Sequence, residues 1–151
     1  MGADGKGKLA GRIAVVTGAA GGIGSKIAEA YAAEGARLAL IDRAAAPLEA
    51  LAKKLGALAC PTELRDEKSI AASFARIREQ LGAPEILVNN AGIDTTSQLA
   101  VMPTAMWDEM LDINLKSVFL CSREVLPAML VRKWGRIINT ASQLGHKGAA
   151  D

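Results

Sequence analysis

Five short apolar runs, separated by longer stretches with apolar residues at helical spacing, constrain this chain more than any other feature of its sequence. The runs cover residues 13–17, 37–41, 57–60 (the weakest), 85–89 and 136–139, and in each the apolar residues are nearly continuous. Successive side chains of a strand point to opposite faces, so a strand with one wet face alternates, whereas a continuous run needs cover on both sides. Parallel strands flanked by crossover helices have that cover. The stretches 23–33, 48–55, 68–81 and a long one over 105–132 supply the helices. The order βαβαβαβαβ predicts an α/β fold with a doubly wound parallel sheet. In the last stretch Trp107, Met110, Leu111, Leu115, Val118, Phe119, Val125 and Leu126 form a stripe, predicted to face the core. Pro127 is expected to kink or break that helix near its C-terminal end.

With 151 residues, half of them hydrophobic, the chain has material for one sizeable core and no second full domain. Residues 1–8 mix Gly, Lys and Asp without apolar periodicity and read as a disordered leader, which leaves residues 9–151 for the folded unit. A formal charge of +2 without a basic stripe gives no reason to expect nucleic acid as a partner. No apolar run is long enough to cross a bilayer and none follows the start of a signal peptide, so no membrane is expected and the chain reads as cytoplasmic. Cys60 and Cys121 lack metal-ligand or redox spacing and read as reduced core residues. His146 stands between Gly145 and Lys147 in what reads as a surface loop, and no metal site is expected.

Between the first strand and the first helix stands Thr17-Gly18-Ala19-Ala20-Gly21-Gly22-Ile23-Gly24. A strand, a glycine-rich turn and a helix in this order aim backbone N–H groups and a helix N-terminus at a pyrophosphate, and the missing side chains let the phosphates approach. The other reading is an ordinary tight turn. Further on, the second run ends in Ile41-Asp42-Arg43. A carboxylate there can accept from both ribose hydroxyls of an adenosine and repels a 2′-phosphate, which favours NAD over NADP. Arg43 could instead pair with such a phosphate, and Asp42 could be no more than a helix cap.

The turn matches T-G-x-x-x-G-x-G residue by residue, and two more segments, Asn89-Asn90-Ala91-Gly92 and Ile113-Asn114-Leu115, stand in register with it. In these segments the chain resembles the short-chain dehydrogenase/reductase family from residue 9 to residue 145. The resemblance implies a Rossmann-like sheet with Gly18, Gly22, Ile23, Gly24, Asp42, Arg43, Asn90, Ala91 and Gly92 around the cofactor. It also places Glu63-Leu64 where the family sets an acid, often as Asp-Val, beside the adenine amino group. It implies catalytic roles for Asn114 and for Ser142, which follows the last run in Asn139-Thr140-Ala141-Ser142. A hydroxyl at the carboxyl end of a parallel strand can hydrogen-bond the oxygen of a carbonyl receiving hydride.

The family's Y-x-x-x-K motif has no counterpart within these residues: the one tyrosine, Tyr31, lies in the first helical stretch with no lysine at that spacing. The resemblance therefore implies the amino-terminal part of an NAD-dependent oxidoreductase acting on a secondary alcohol or ketone, truncated after the fifth strand and inactive by itself. A homo-oligomer, or association with the missing segment, is implied as well. A second reading is a non-catalytic dinucleotide-binding or sensor module. A third is a structural domain whose glycine turn is vestigial.

Overall fold

The computed structural model describes residues 7–147. Five strands, β1 (Ile13–Thr17), β2 (Arg37–Asp42), β3 (Leu58–Pro61), β4 (Ile86–Asn89) and β5 (Arg136–Asn139), form one parallel sheet in the order β3-β2-β1-β4-β5. Strand β1 has a parallel neighbour on each side, with Val15 opposite Ala39 of β2 and Leu87 of β4, and every residue of it is buried. The chain passes from β1 outward to β3 and then returns to β4 on the other side of β1. That reversal opens a crevice at the carboxyl ends of β1 and β4, where open α/β sheets receive ligands.

The period-2 geometry of the strands sorts their side chains into two layers. Ala14, Val16, Leu40 and Val88 face α1 (Gly22–Ala33) and α2 (Ala45–Leu55), with Leu48 and Ala28 closing that layer. Val15, Ile41 and Leu87 face α3 (Glu67–Gln80) and the helix after β4, with Phe74, Ile77, Leu120 and Val125 against them. Both cysteines are buried and free, Cys60 on β3 and Cys121 in that later helix. Helix α2 starts a turn before the sequence pattern places it, because Pro47 falls in its first turn, where no N–H is needed. Helix α3 starts where Asp66 accepts from the N–H of Lys68 at 2.9 Å.

The long helical stretch departs from expectation in two ways. It divides into α4 (Thr104–Leu111), a π-helical turn at Asp112–Lys116 and α5 (Ser117–Arg132), so its irregularity falls at the π turn and α5 runs through Pro127. Pro127 is exposed, and water can serve the carbonyl that it leaves without a donor. The predicted core stripe is also corrected. Only Val125 of it is buried, whereas Trp107, Leu111, Leu115, Phe119 and Leu126 are exposed, Leu115 at 64% and Phe119 at 58%. Ile113, Ser117, Leu120, Cys121, Val125 and Met129 face the sheet instead. The segment carries two apolar faces, and helical periodicity cannot say which of them meets the sheet.

The turn Gly7–Gly11 docks on the α1–β2 corner, with Leu9 N–H donating to Glu34 O and Gly11 N–H to Gly35 O, each at 3.0 Å. Gly7 and Lys8 therefore carry structure, and the rest of the predicted leader, residues 1–6, lies outside the described residues. On β5, Ile137 packs against the α3–α5 layer while Ile138 is 43% exposed. Among the described residues no helix is long and apolar enough to cross a membrane.

Candidate functional site

The glycine turn leaves β1 and enters α1 at the crevice. Gly18 has φ +64°, and a Cβ there would lie 2.8 Å from the backbone Cα of Ala91, so the position admits glycine alone for both conformation and space. Gly22, the first residue of α1, is exposed, and a Cβ on it would meet nothing within 4 Å. The N–H groups of this first turn have no intrahelical acceptor, no side chain caps them, and the turn itself contains no acidic residue. Ile23 stands out into solvent at 67% exposure, whereas Gly24 is buried beneath the turn, where a Cβ would strike the carbonyl oxygen of Gly18. An open, electropositive surface thus sits above Gly22 and Ile23.

Asp42 ends β2 and ties the crevice together. Its Oδ2 accepts from the N–H of Ala20 in the glycine turn and its Oδ1 from the N–H of Ala44 ahead of α2, each at 3.0 Å. An ionised carboxylate offers about four acceptor positions, so these two contacts leave two for a ligand. Asp42 is not the cap of α2: the N-cap residue is Ala44, no side chain caps that helix, and the Asp42 contacts fall on the turns before it.

A cleft of about 100 Å³ opens between β1, β2 and β4. It is lined by Gly18, Asp42, Arg43, Thr62, Glu63, Leu64, Ala91, Gly92, Ile93 and Ile113. Seven of the residues singled out in the sequence thus share it, Ala91 among them, while Gly22, Ile23 and Gly24 lie at the α1 entrance. Glu63 has its carboxyl held below the usual carboxylate range by the Arg65 guanidinium and by the N–H of the same residue. Asn90 does not line the cleft: its Nδ2 donates to Thr17 O at 3.2 Å and to Gly18 O at 3.4 Å, clamping β4 to β1. The partner of that clamp went unassigned in the sequence. Thr17 Oγ1 accepts from the N–H groups of Asn90 and Ala91, both at 3.0 Å, and donates to Val88 O at 3.4 Å. Its hint was present as the threonine that opens the glycine motif.

Asn114 lies in the π turn, where Ser117 N–H reaches back to Asp112 O. Its side chain latches the loop after Gly92, Oδ1 accepting from Ile93 N–H at 2.8 Å and Nδ2 donating to Ile93 O at 2.9 Å. Ser142 follows β5 in an exposed loop, and its Oγ accepts from Leu144 N–H at 3.2 Å, which leaves the hydroxyl proton free to be donated elsewhere. His146 is exposed in the same turn. Tyr31 is half-buried on α1 within the α1–α2 layer, and burial pushes its phenol up, the opposite of what a proton-transferring tyrosine needs.

A doubly wound parallel sheet with a glycine turn and an acid at its switch point is a Rossmann-type α/β fold. The chain belongs to the short chain dehydrogenase family, whose model matches residues 12–151. Among its relatives, D-threitol dehydrogenase of Mycolicibacterium smegmatis is 40% identical over 143 residues, 90% of this chain and 54% of the relative. Nodulation protein G of Azospirillum brasilense is 42% identical over 147 residues, 92% of this chain and 59% of its own. A 3-oxoacyl-[acyl-carrier-protein] reductase of Aquifex aeolicus is 37% identical over 147 residues, 93% of this chain and 59% of its own. The chain thus spans little more than half the length of these curated relatives.

Proposed function

We propose that these residues form the cofactor-binding part of an NAD-dependent oxidoreductase that moves hydride between the nicotinamide and a secondary alcohol or ketone. The observation that carries the reading is the pairing of an uncapped, open α1 N-terminus with Asp42, whose carboxylate keeps two acceptor positions at the lip of the same cleft. The cleft is small beside the roughly 300–1,000 Å³ of enclosed ligand sites, which suits one end of an extended dinucleotide, with the pyrophosphate over Gly22 and Ile23. Residues Gly18, Ala91 and Gly92 would let the cofactor backbone come close, and Arg43, Glu63 and Leu64 would border the adenosine.

When bound, the nicotinamide supplies the hydride acceptor or donor. The residues of the chain would supply placement. Ser142 would donate its free hydroxyl proton to the substrate oxygen, stabilising the charge that builds there. Asn114 would hold the Ile93 loop as the cleft wall and support the proton relay. The tyrosine and lysine of the family's Y-x-x-x-K motif would act with them as base and as the cation that lowers its pKa. The 151 residues hold no such pair, so hydride transfer is expected only from a chain that carries it.

Calorimetry with the two cofactors tests the reading. NAD is expected to bind and NADP to bind at least about tenfold more weakly, because Asp42 repels a 2′-phosphate at short range. Equal affinities at low and moderate salt would remove the role given to Asp42, and no binding of either cofactor would leave the glycine turn a structural one.

The exposed face of α4 and α5 belongs to the same proposal. Trp107, Leu111, Leu115 and Phe119 form an apolar surface of a kind that monomers rarely present to water, and a second copy of the chain would cover it in a homo-oligomer. Sedimentation is expected to show an associated species that Phe119→Glu dissociates. A monodisperse wild-type monomer in dilute solution would contradict the assignment.

A further inference from the structure

The loop between β3 and α3 is pinned at both ends. Thr62 N–H donates to Asp42 O at 2.9 Å, and its hydroxyl donates to Cys60 O at 2.7 Å and accepts from Ser73 Oγ at 2.8 Å, while Asp66 caps α3 and its own N–H donates to Glu63 O at 3.1 Å. Glu63 N–H is held by Ser69 Oγ at 3.1 Å, and Leu64 is buried in the α3–α5 layer. What freedom remains at Glu63 is in its side chain, which has three rotatable bonds. A glutamate free to rotate loses rotamer entropy on meeting a ligand.

Arg65 removes that freedom. Its Nε donates to Glu63 Oε1 at 3.2 Å, its Nη2 to Oε2 at 3.3 Å, and its backbone N–H to Oε1 at 3.0 Å. The far side of the guanidinium is held in turn, with Nη1 donating to Glu109 Oε1 of α4 at 3.1 Å. Glu63 lines the cleft and Arg65 does not. Of about four acceptor positions on an ionised carboxylate, two on Oε1 and one on Oε2 are taken, which leaves a single position on Oε2. A ligand donor reaching that position would find an acceptor whose carboxylate is already fixed. A ligand acceptor meets a full negative charge with no proton to share, and the depressed pKa of Glu63 keeps that charge in place at neutral pH.

We propose that Arg65 is a positioning residue that fixes the Glu63 carboxylate with one acceptor position toward the cleft, and so selects a 6-amino purine over a 6-oxo purine at the adenosine end. The proposal rests on the dinucleotide reading above. The fork is long and partly exposed, so what it contributes is orientation rather than strength, and the tie of its outer edge to Glu109 of α4 is what holds that orientation. Lysine keeps the charge but not the fork, so it cannot stand in for arginine here.

Titration calorimetry of the 151-residue chain with NAD and with its 6-oxo analogue, nicotinamide hypoxanthine dinucleotide, tests it. The wild type is expected to prefer NAD by about tenfold, and both Arg65→Ala and Arg65→Lys to reduce that preference to within about twofold. The preference for NAD over NADP and the melting temperature should hold in both variants, which a general loosening of the fold would not allow. A wild-type preference surviving in Arg65→Ala overturns the proposal, and survival in Arg65→Lys alone assigns the effect to charge and overturns the fork. Equal binding of the two dinucleotides by the wild type overturns the proposal and leaves the cofactor reading standing. Failure of the wild type to bind either overturns both.

Discussion

Gly22→Val is expected to leave the fold intact and to weaken dinucleotide binding by about two orders of magnitude or more, roughly 3 kcal/mol. The backbone at Gly22 has no positive φ, and a Cβ there meets nothing within 4 Å, so the valine has room in the apo protein. Valine is no poorer a helix former than glycine, so α1 loses nothing in propensity at its first position. That same empty space is where the proposal sets the pyrophosphate, and a branched side chain would hold phosphate oxygens away from the first-turn N–H groups. Gly18→Val is the informative contrast. With φ +64° and Ala91 Cα 2.8 Å from the added Cβ, it should damage the β1–β4 junction itself and lower the melting temperature along with affinity. Circular dichroism and calorimetry on both variants separate the two effects. A folded Gly22→Val protein with wild-type affinity for NAD would remove the phosphate site from this turn.

Ser142→Ala is expected to depress turnover by about two orders of magnitude in a chain that carries a Y-x-x-x-K segment after residue 151, with cofactor affinity unchanged. The oxygen of Ser142 already accepts the Leu144 N–H, so the hydroxyl is oriented while its proton remains to be donated. Loss of such a donor raises the barrier without touching the adenosine end, so the effect should fall on kcat and spare the calorimetric Kd for NAD. Full turnover in the alanine variant would move substrate stabilisation to another group. A parallel loss of NAD affinity would show that the serine acts through the turn and not on the substrate.

Much of the fold was legible in the chain. Continuous apolar runs such as Ile13–Thr17 belong to strands covered on both faces, and β1 is buried along its whole length between β2 and β4. The glycine turn was legible for the same reason, since missing side chains in Gly18 and Gly24 mark close approach of backbone. Asp42 and Glu63 were recognisable as acids at the end of the second strand and just after the third, and the structure sets both in the lining of one cleft.

Periodicity alone was a poor guide along residues 105–132, where two apolar faces share one segment. Trp107, Leu115 and Phe119 read as core yet stand in solvent, while Ile113, Leu120 and Met129 meet the sheet. A helical period reports that a face exists, and the choice between two faces depends on where the sheet lies. The contacts that prepare the site were hidden for a related reason. Thr17 clamping Asn90, Asn114 latching Ile93, and Arg65 joining Glu63 to Glu109 link positions 73, 21 and 44 residues apart. By itself the sequence determined the parallel sheet, its glycine turn and the acids at its strand ends, because backbone sterics and the pattern of burial are local properties. Only the tertiary structure decided which helix face is exposed and how each polar side chain spends its hydrogen bonds, because those depend on partners that the fold alone brings within reach.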